Sequence, residues 1–173
     1  MDKVAHGAGE EGRDDGGPVL RVVARVGALG MAAFHLYTAF TVSFSPMIQR
    51  SVHLAFALSL LFLITPAQGL PRRLDLALRW TLAVAGVLTT LYAAVEFTNP
   101  GIFRVIDPTM LDIASGTVLL GLLLEATRRT AGPSLAIIAL VFVLYAVFGA
   151  NLPGLLGHPG FDYPSIVASL YIR

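Results

Sequence analysis

Residues 132–151, GPSLAIIALVFVLYAVFGAN, decide the fold. The stretch opens on Gly132-Pro133 and runs as a dense apolar segment through Val147 to Asn151, ahead of Pro153-Gly154. Proline suits a first helical position, where the N–H it lacks would have had no partner anyway. Twenty or so residues rising about 1.5 Å each match a bilayer's hydrocarbon thickness of about 30 Å. The segment therefore reads as a membrane-spanning helix.

The whole chain has that character. Its 173 residues are 55% hydrophobic and 13% charged, against roughly 25% charged in a soluble domain. At about 20 residues per span, five crossings fit comfortably. The net charge is +1, and the basic residues are scattered between apolar stretches. That distribution lacks the footprint of a nucleic-acid binder, so nucleic acid is set aside as a partner. With no cysteine, a disulfide framework, a thiolate metal site and a cysteine nucleophile are all excluded.

Working back from residue 132, Asp107-Pro108 places a cap residue before a proline and predicts a helix over 107–126 that closes on Arg128 and Arg129. Before it, a helix over 75–97 follows the Pro/Gly/Arg loop from Pro66 to Arg73 and ends at Asn99-Pro100-Gly101. Trp80 lies beside Arg79 at its start, where an aromatic belt residue belongs. Ser45-Pro46 predicts a helix over 46–65, stopped by Pro66, with Arg50 and His53 near the interface. The first helix, over 22–44, carries Gly27, Gly30 and several alanines, the small-residue surface of a packing helix.

Residues 1–21 are rich in Gly, Asp and Glu and read as a disordered cytoplasmic tail rather than a signal peptide. Past residue 151, His158-Pro159-Gly160-Phe161 forms a turn, and Ile166, Val167, Leu170 and Tyr171 recur at helical spacing, as in an interfacial amphipathic helix. The expected fold is an all-α integral membrane helical bundle of about five transmembrane helices plus a short C-terminal amphipathic segment. Its expected parts are a tail (1–21), a four-helix domain (22–127), a fifth, connector helix (128–156) and an interfacial segment (157–173). The absence of a terminal signature at Arg173 reads as a chain cut mid-structure.

Nine of the twelve basic residues fall on alternate flanks: Lys3, Arg13, Arg21 and Arg25, then Arg72, Arg73 and Arg79, then Arg128 and Arg129. Arg50, Arg104 and Arg173 fall on the others. The positive-inside rule then makes the N-terminus cytoplasmic and, after five crossings, the C-terminus external.

Ionisable groups inside a membrane are the first functional suspects. Here they are His35, His53, Glu96, Asp112 and Glu125. Glu125 stands three and four residues before Arg128 and Arg129, the spacing of a structural ion pair. Asp112 is in an early turn of its helix, favoured by the positive helix end, and Glu96 is near an outer end that water reaches. His35, flanked by Phe34 and Tyr37, is the most central. For His35, Glu96 and Asp112 an inter-helix polar contact is the favoured reading over a ligand or proton relay. No metal-binding spacing, nucleophile elbow or phosphate loop is present, so an enzyme is not expected. The paired, broken hydrophobic segments that hold a transporter's substrate are also missing.

Several motifs nonetheless share an order and spacing with a known family. They are His53-Leu54-Ala55-Phe56-Ala57, Arg72-Arg73-Leu74-Asp75, Asp112 with Gly116, and Leu124-Glu125-Ala126-Thr127-Arg128-Arg129. Tyr145, Phe148-Gly149, Leu152-Pro153-Gly154, His158 with Gly160-Phe161, and Leu170-Tyr171 follow. Over most of its length after Arg21 the chain resembles the N-terminal part of fused permeases of TRAP transporters, the tripartite ATP-independent periplasmic family. Pro133 departs from the pattern, which favours a bulkier residue there.

The resemblance implies a secondary transporter with a small membrane subunit, a large subunit that carries substrate and sodium, and a periplasmic binding protein. This chain would be the small subunit plus connector helix, a scaffold in a bacterial or archaeal cytoplasmic membrane. No cofactor is then expected in the chain itself, sodium belongs to the missing transport domain, and the substrate class is an organic anion. The competing reading is a free-standing small membrane protein with an assembly or regulatory role.

Overall fold

The computed structural model describes residues 17–41, 44–67, 69–96 and 107–171. The tail up to residue 16, with Lys3 and Arg13, lies outside the described residues, as do the loop carrying Asn99-Pro100-Gly101 and Arg104, and Arg173. All regular structure among the described residues is helical. The order is α1 (Gly17–Thr41), α2 (Pro46–Ile64), α3 (Arg72–Glu96), α4 (Met110–Thr130), α5 (Pro133–Phe148) and α6 (Tyr163–Tyr171), with two 3₁₀ turns, Gly149–Asn151 and Gly154–Leu156, between the last two. Among the described residues five helices are long and apolar enough to cross a membrane, the fifth being α5 extended to Asn151.

The local signals act as helix starts with two differences. Ser45 caps α2, its hydroxyl accepting from the Ile48 amide at 3.3 Å ahead of Pro46. Pro133 opens α5 behind Gly132, whose φ of 89° favours glycine. Helix α4, however, starts from Thr109 rather than Asp107-Pro108. Thr109 accepts from the Asp112 amide at 3.3 Å, and Asp112 accepts from the Thr109 amide at 2.8 Å, a reciprocal cap that satisfies two donors. The helix then runs on through Arg128 and Arg129 to Thr130. Residues 17–21, assigned above to the tail, are the first turn of α1, where Gly17 turns with φ 87° into Pro18.

The core lies between α2 and α3. Helix α3 turns Ala83, Gly86, Thr90, Ala93 and Ala94 inward, and Gly86 is so close to Leu58 that an added Cβ would sit 3.2 Å from the Leu58 Cβ. Phe62 is fully buried and Leu58 nearly so. The small-residue seam expected on the first helix is thus mainly on α3. Helix α1 does meet α2 through Gly27 at Leu60 and Gly30 at Phe56, but it buries only Leu20 and Thr38. Helix α5 buries nothing. Thr residues inside the spans return their hydroxyls to carbonyls one turn back, Thr90 to Gly86 at 2.7 Å for instance, so they bring little uncompensated polarity.

Helix α6 docks across α4, where the expectation was a helix lying in the interface. Ile166, Val167, Ala168 and Tyr171 are buried, while Leu170 faces outward. Gly116 permits the approach, since a Cβ there would lie 2.5 Å from Val167 Cγ1. Gly121, on the same helix, has nothing within 4 Å. Gly116→Ala is therefore expected to raise amide exchange across residues 163–171 and destabilise by about 1–3 kcal/mol. Gly121→Ala should be neutral or stabilising by up to about 1 kcal/mol. Hydrogen exchange and thermal unfolding in detergent check both, and equal effects would refute the packing role.

Candidate functional site

Two buried arginines and the acids that pair with them converge on the C-terminal end of α2, which leaves carbonyls without helical partners. From α3, Arg79 Nη1 donates to the Leu63 carbonyl at 3.3 Å, and Arg79 Nη2 pairs with Asp75 at 2.5 Å. Asp75 in turn accepts from the Ala67 amide at 2.7 Å. From α4, Arg129 Nη1 donates to the Thr65 carbonyl at 3.0 Å, its Nε pairs with Glu125 at 2.7 Å, and its guanidinium lies 5.3 Å from the centre of the Phe62 ring. Both guanidiniums are almost fully buried, with side-chain exposures of 1% and 3%. Arg128 grips Glu125 through two bonds, Nε to Oε2 at 2.7 Å and Nη2 to Oε1 at 2.8 Å, but is 53% exposed.

Glu125, Arg128 and Arg129 thus form a triad. Its buried counterpart, Asp75–Arg79, was missed in the sequence although the same four-residue spacing marks it. Arg79 had been placed at the membrane interface as a flanking charge, yet it is one of the most buried side chains in the molecule.

Charge is polarised between the two ends of the bundle. Arg21, Arg25, Arg72, Arg73, Arg79, Arg128 and Arg129 stand in the half that holds the end of α2, together with Asp75 and Glu125. The opposite half of the described residues has Arg50 against Glu96, Asp107, Asp112 and Asp162.

In that opposite half Asp112 is buried and joins α3 to α4. Besides capping its own helix, it accepts from the Tyr92 hydroxyl at 2.7 Å. Nearby, Tyr171 reaches from α6 to donate to the Thr89 carbonyl at 2.6 Å. Burial raises the Tyr171 hydroxyl above its ordinary pKa, so it stays a neutral donor at physiological pH. Glu96 ends α3 in an exposed position.

His35 on α1 and His53 on α2 form a direct pair, Nε2 to Nδ1 at 2.8 Å, with ring centres 4.9 Å apart. One nitrogen must carry the proton and the other the lone pair, so at least one ring is neutral while the contact holds. The pair borders an open groove of about 530 Å³ with Gln49 and Arg50. Among the described residues no group of three His, Cys, Asp or Glu side chains is placed to hold a metal.

After α5 the chain folds back and caps that helix. The His158 amide donates to the Gly149 carbonyl at 3.1 Å and the Phe161 amide to the Ala146 carbonyl at 3.0 Å. His158 Nδ1 accepts from the Gly160 amide at 3.0 Å, so Nε2 carries the hydrogen and donates to the Tyr145 carbonyl at 3.1 Å. A Cβ on Gly149 would fall 1.9 Å from that Nε2, which is why glycine stands there. The Tyr145 hydroxyl returns a bond to the Leu156 carbonyl at 3.0 Å. Asp162 then starts α6, accepting from the Ser165 hydroxyl at 2.7 Å and the Ser165 amide at 3.2 Å.

Chemically, these arrangements fix helices against one another. The buried carboxylates are occupied by guanidinium, hydroxyl and amide donors, and the His35–His53 contact is an α1–α2 link.

Asp75→Ala would strand a buried guanidinium and is expected to cost about 3–5 kcal/mol. Arg128→Ala, at an exposed position with Arg129 still on Glu125, should cost under about 1 kcal/mol; thermal unfolding in detergent separates the two. The Ser165 hydroxyl and amide hold the Asp162 carboxyl below its ordinary pKa. Its contribution to α6 is therefore complete above the free-aspartate range, about pH 4, and is lost as pH falls through the depressed value. Asp162→Asn should remove that acid-side loss, read as exchange of the α6 amides against pH.

No protein-family model, curated protein or solved structure matches the chain.

Proposed function

We propose that this chain is the scaffold component of a TRAP-type, sodium-coupled secondary transporter for organic anions, working with a large transport subunit and a periplasmic binding protein. The observation that carries the reading is the contrast between a braced bundle and an unaccompanied helix. Helices α2, α3 and α4 are pinned by buried ion pairs, whereas the 16 residues of α5 have α4 as their main neighbour and none of them is buried. Large apolar side chains such as Ile138 and Phe142 are left outward, 51% and 67% exposed. A rigid bundle bearing such a helix suits a static anchor for a moving domain.

The internal carboxylates support the same reading, since Asp75, Asp112 and Glu125 are engaged in holding helices together. Sodium and substrate chemistry are assigned to the large subunit, no catalysis to this chain. The concentration of arginines at one end supports a cytoplasmic N-terminus and a periplasmic C-terminus in a bacterial or archaeal cytoplasmic membrane.

Co-expression of the tagged chain with a large TRAP transport subunit from the same genome tests the proposal. The expected result is co-purification in mild detergent, weakened by Phe142→Arg on α5. Purification of the chain alone, with the large subunit folded and present in the same membrane, would overturn it in favour of a free-standing protein.

A further inference from the structure

The groove between α4 and α5 has the chemistry of a phospholipid site. Gly121 and Leu124 line one wall with Glu125 and Arg128 at its end, Pro133, Ala136, Ile137 and Leu140 the other, and its volume is about 290 Å³. The lining runs over 121–128 on α4 and 133–140 on α5, eight residues or about 10 Å of rise on each helix from its end toward the bilayer interior. Apolar walls at that depth hold no water, and an unfilled gap would forfeit the dispersion contacts of every atom facing it. The filler available at that depth is an acyl chain.

The mouth of the groove selects the headgroup. Arg128 stands there with Nε and Nη2 on Glu125, and Nη1 has no partner among the described residues. Glu125 is shared with Arg129, so the triad carries one positive charge in excess. The same half of the bundle holds seven of the eight described arginines, with Asp75 and Glu125 as its acids. A guanidinium edge held by a carboxylate on one side and open on the other is preorganised for a phosphate oxygen.

We propose that this groove binds one anionic phospholipid, its phosphate on Arg128 and the upper part of an acyl chain between Gly121 and Leu140. The inference goes beyond the transporter reading and holds for the chain alone. The lipid would complete the packing of α5, whose neighbours within the chain leave this side open.

The test is native mass spectrometry of the full chain released from detergent after exposure to phosphatidylglycerol or to phosphatidylcholine of the same acyl length. Wild-type protein is expected to retain one phosphatidylglycerol in preference to phosphatidylcholine. Arg128→Gln should reduce that retention about fivefold, the effect of one basic side chain at an anionic surface. Ile137→Trp, at a position 58% exposed, should fill the groove and abolish retention of either lipid. Thermal unfolding establishes that both variants are folded. Retention unchanged in both folded variants, or equal retention of the two lipids by wild type, overturns the proposal. Displacement of the lipid by glycerol 3-phosphate at equal concentration also overturns it, because the acyl chain would then contribute nothing.

Discussion

A helix that ends beside a bilayer has carbonyls that neither the helix nor lipid can satisfy, and the end of α2 is where this fold meets that constraint. Two arginines from two other helices supply the missing donors, Arg79 to Leu63 and Arg129 to Thr65. A guanidinium carried into such a place is itself costly unless neutralised, and each has its own acid one turn earlier, Asp75 and Glu125. Each member therefore depends on the others. Sliding α3 or α4 by a turn would break a carbonyl bond on α2 and bury an unpaired charge together.

That mutual dependence fixes register more than it adds stability. A buried ion pair is often no better energetically than an apolar replacement, and here Arg79 Nε and Arg129 Nη2 are buried without a protein acceptor among the described residues. Adhesion comes instead from the close α2–α3 contact at Gly86 and Leu58 and the burial of Phe62. At the opposite end, Asp112 and Tyr92 join α3 to α4, and Tyr171 joins α6 to α3. Between the two ends, α1 is attached by a shallow small-residue contact and the His35–His53 pair.

Much of the fold was legible in the sequence because lipid imposes length and apolarity on each span, and because proline is informative at a helix start. The five spans and the starts of α2 and α5 follow from those two rules. The start of α4 did not, because Asp107-Pro108 and Thr109 through Asp112 are both plausible caps, and only the folded backbone brings Thr109 and Asp112 into a reciprocal pair. Glu125 with Arg128 and Arg129 could be read from spacing alone, since all three are on one helix. Their attachment to Thr65, and that of Arg79 to Leu63, joins residues 64 and 16 positions apart, which no local pattern encodes. His35 and His53 were each visible, but their meeting depends on how α1 leans on α2. The spacing of Ile166, Val167, Leu170 and Tyr171 marked α6 as a helix, but that Ala168 joins the buried face while Leu170 is exposed depends on how α6 meets α4.

Several of the residues on which the family resemblance rests have a geometric task in this structure. Gly116 makes room for Val167, and Gly149 for the His158 ring. His158 and the Phe161 amide finish α5, Asp112 caps α4, and Asp75, Glu125 and Arg129 hold the end of α2. A glycine that admits a ring, or an acid that neutralises a buried arginine, is tied to how helices meet and is indifferent to what is carried past them. Such positions therefore record how the helices of this bundle meet and carry no information about a substrate. Selectivity in any assembly built on this chain would have to come from surfaces that these residues do not form.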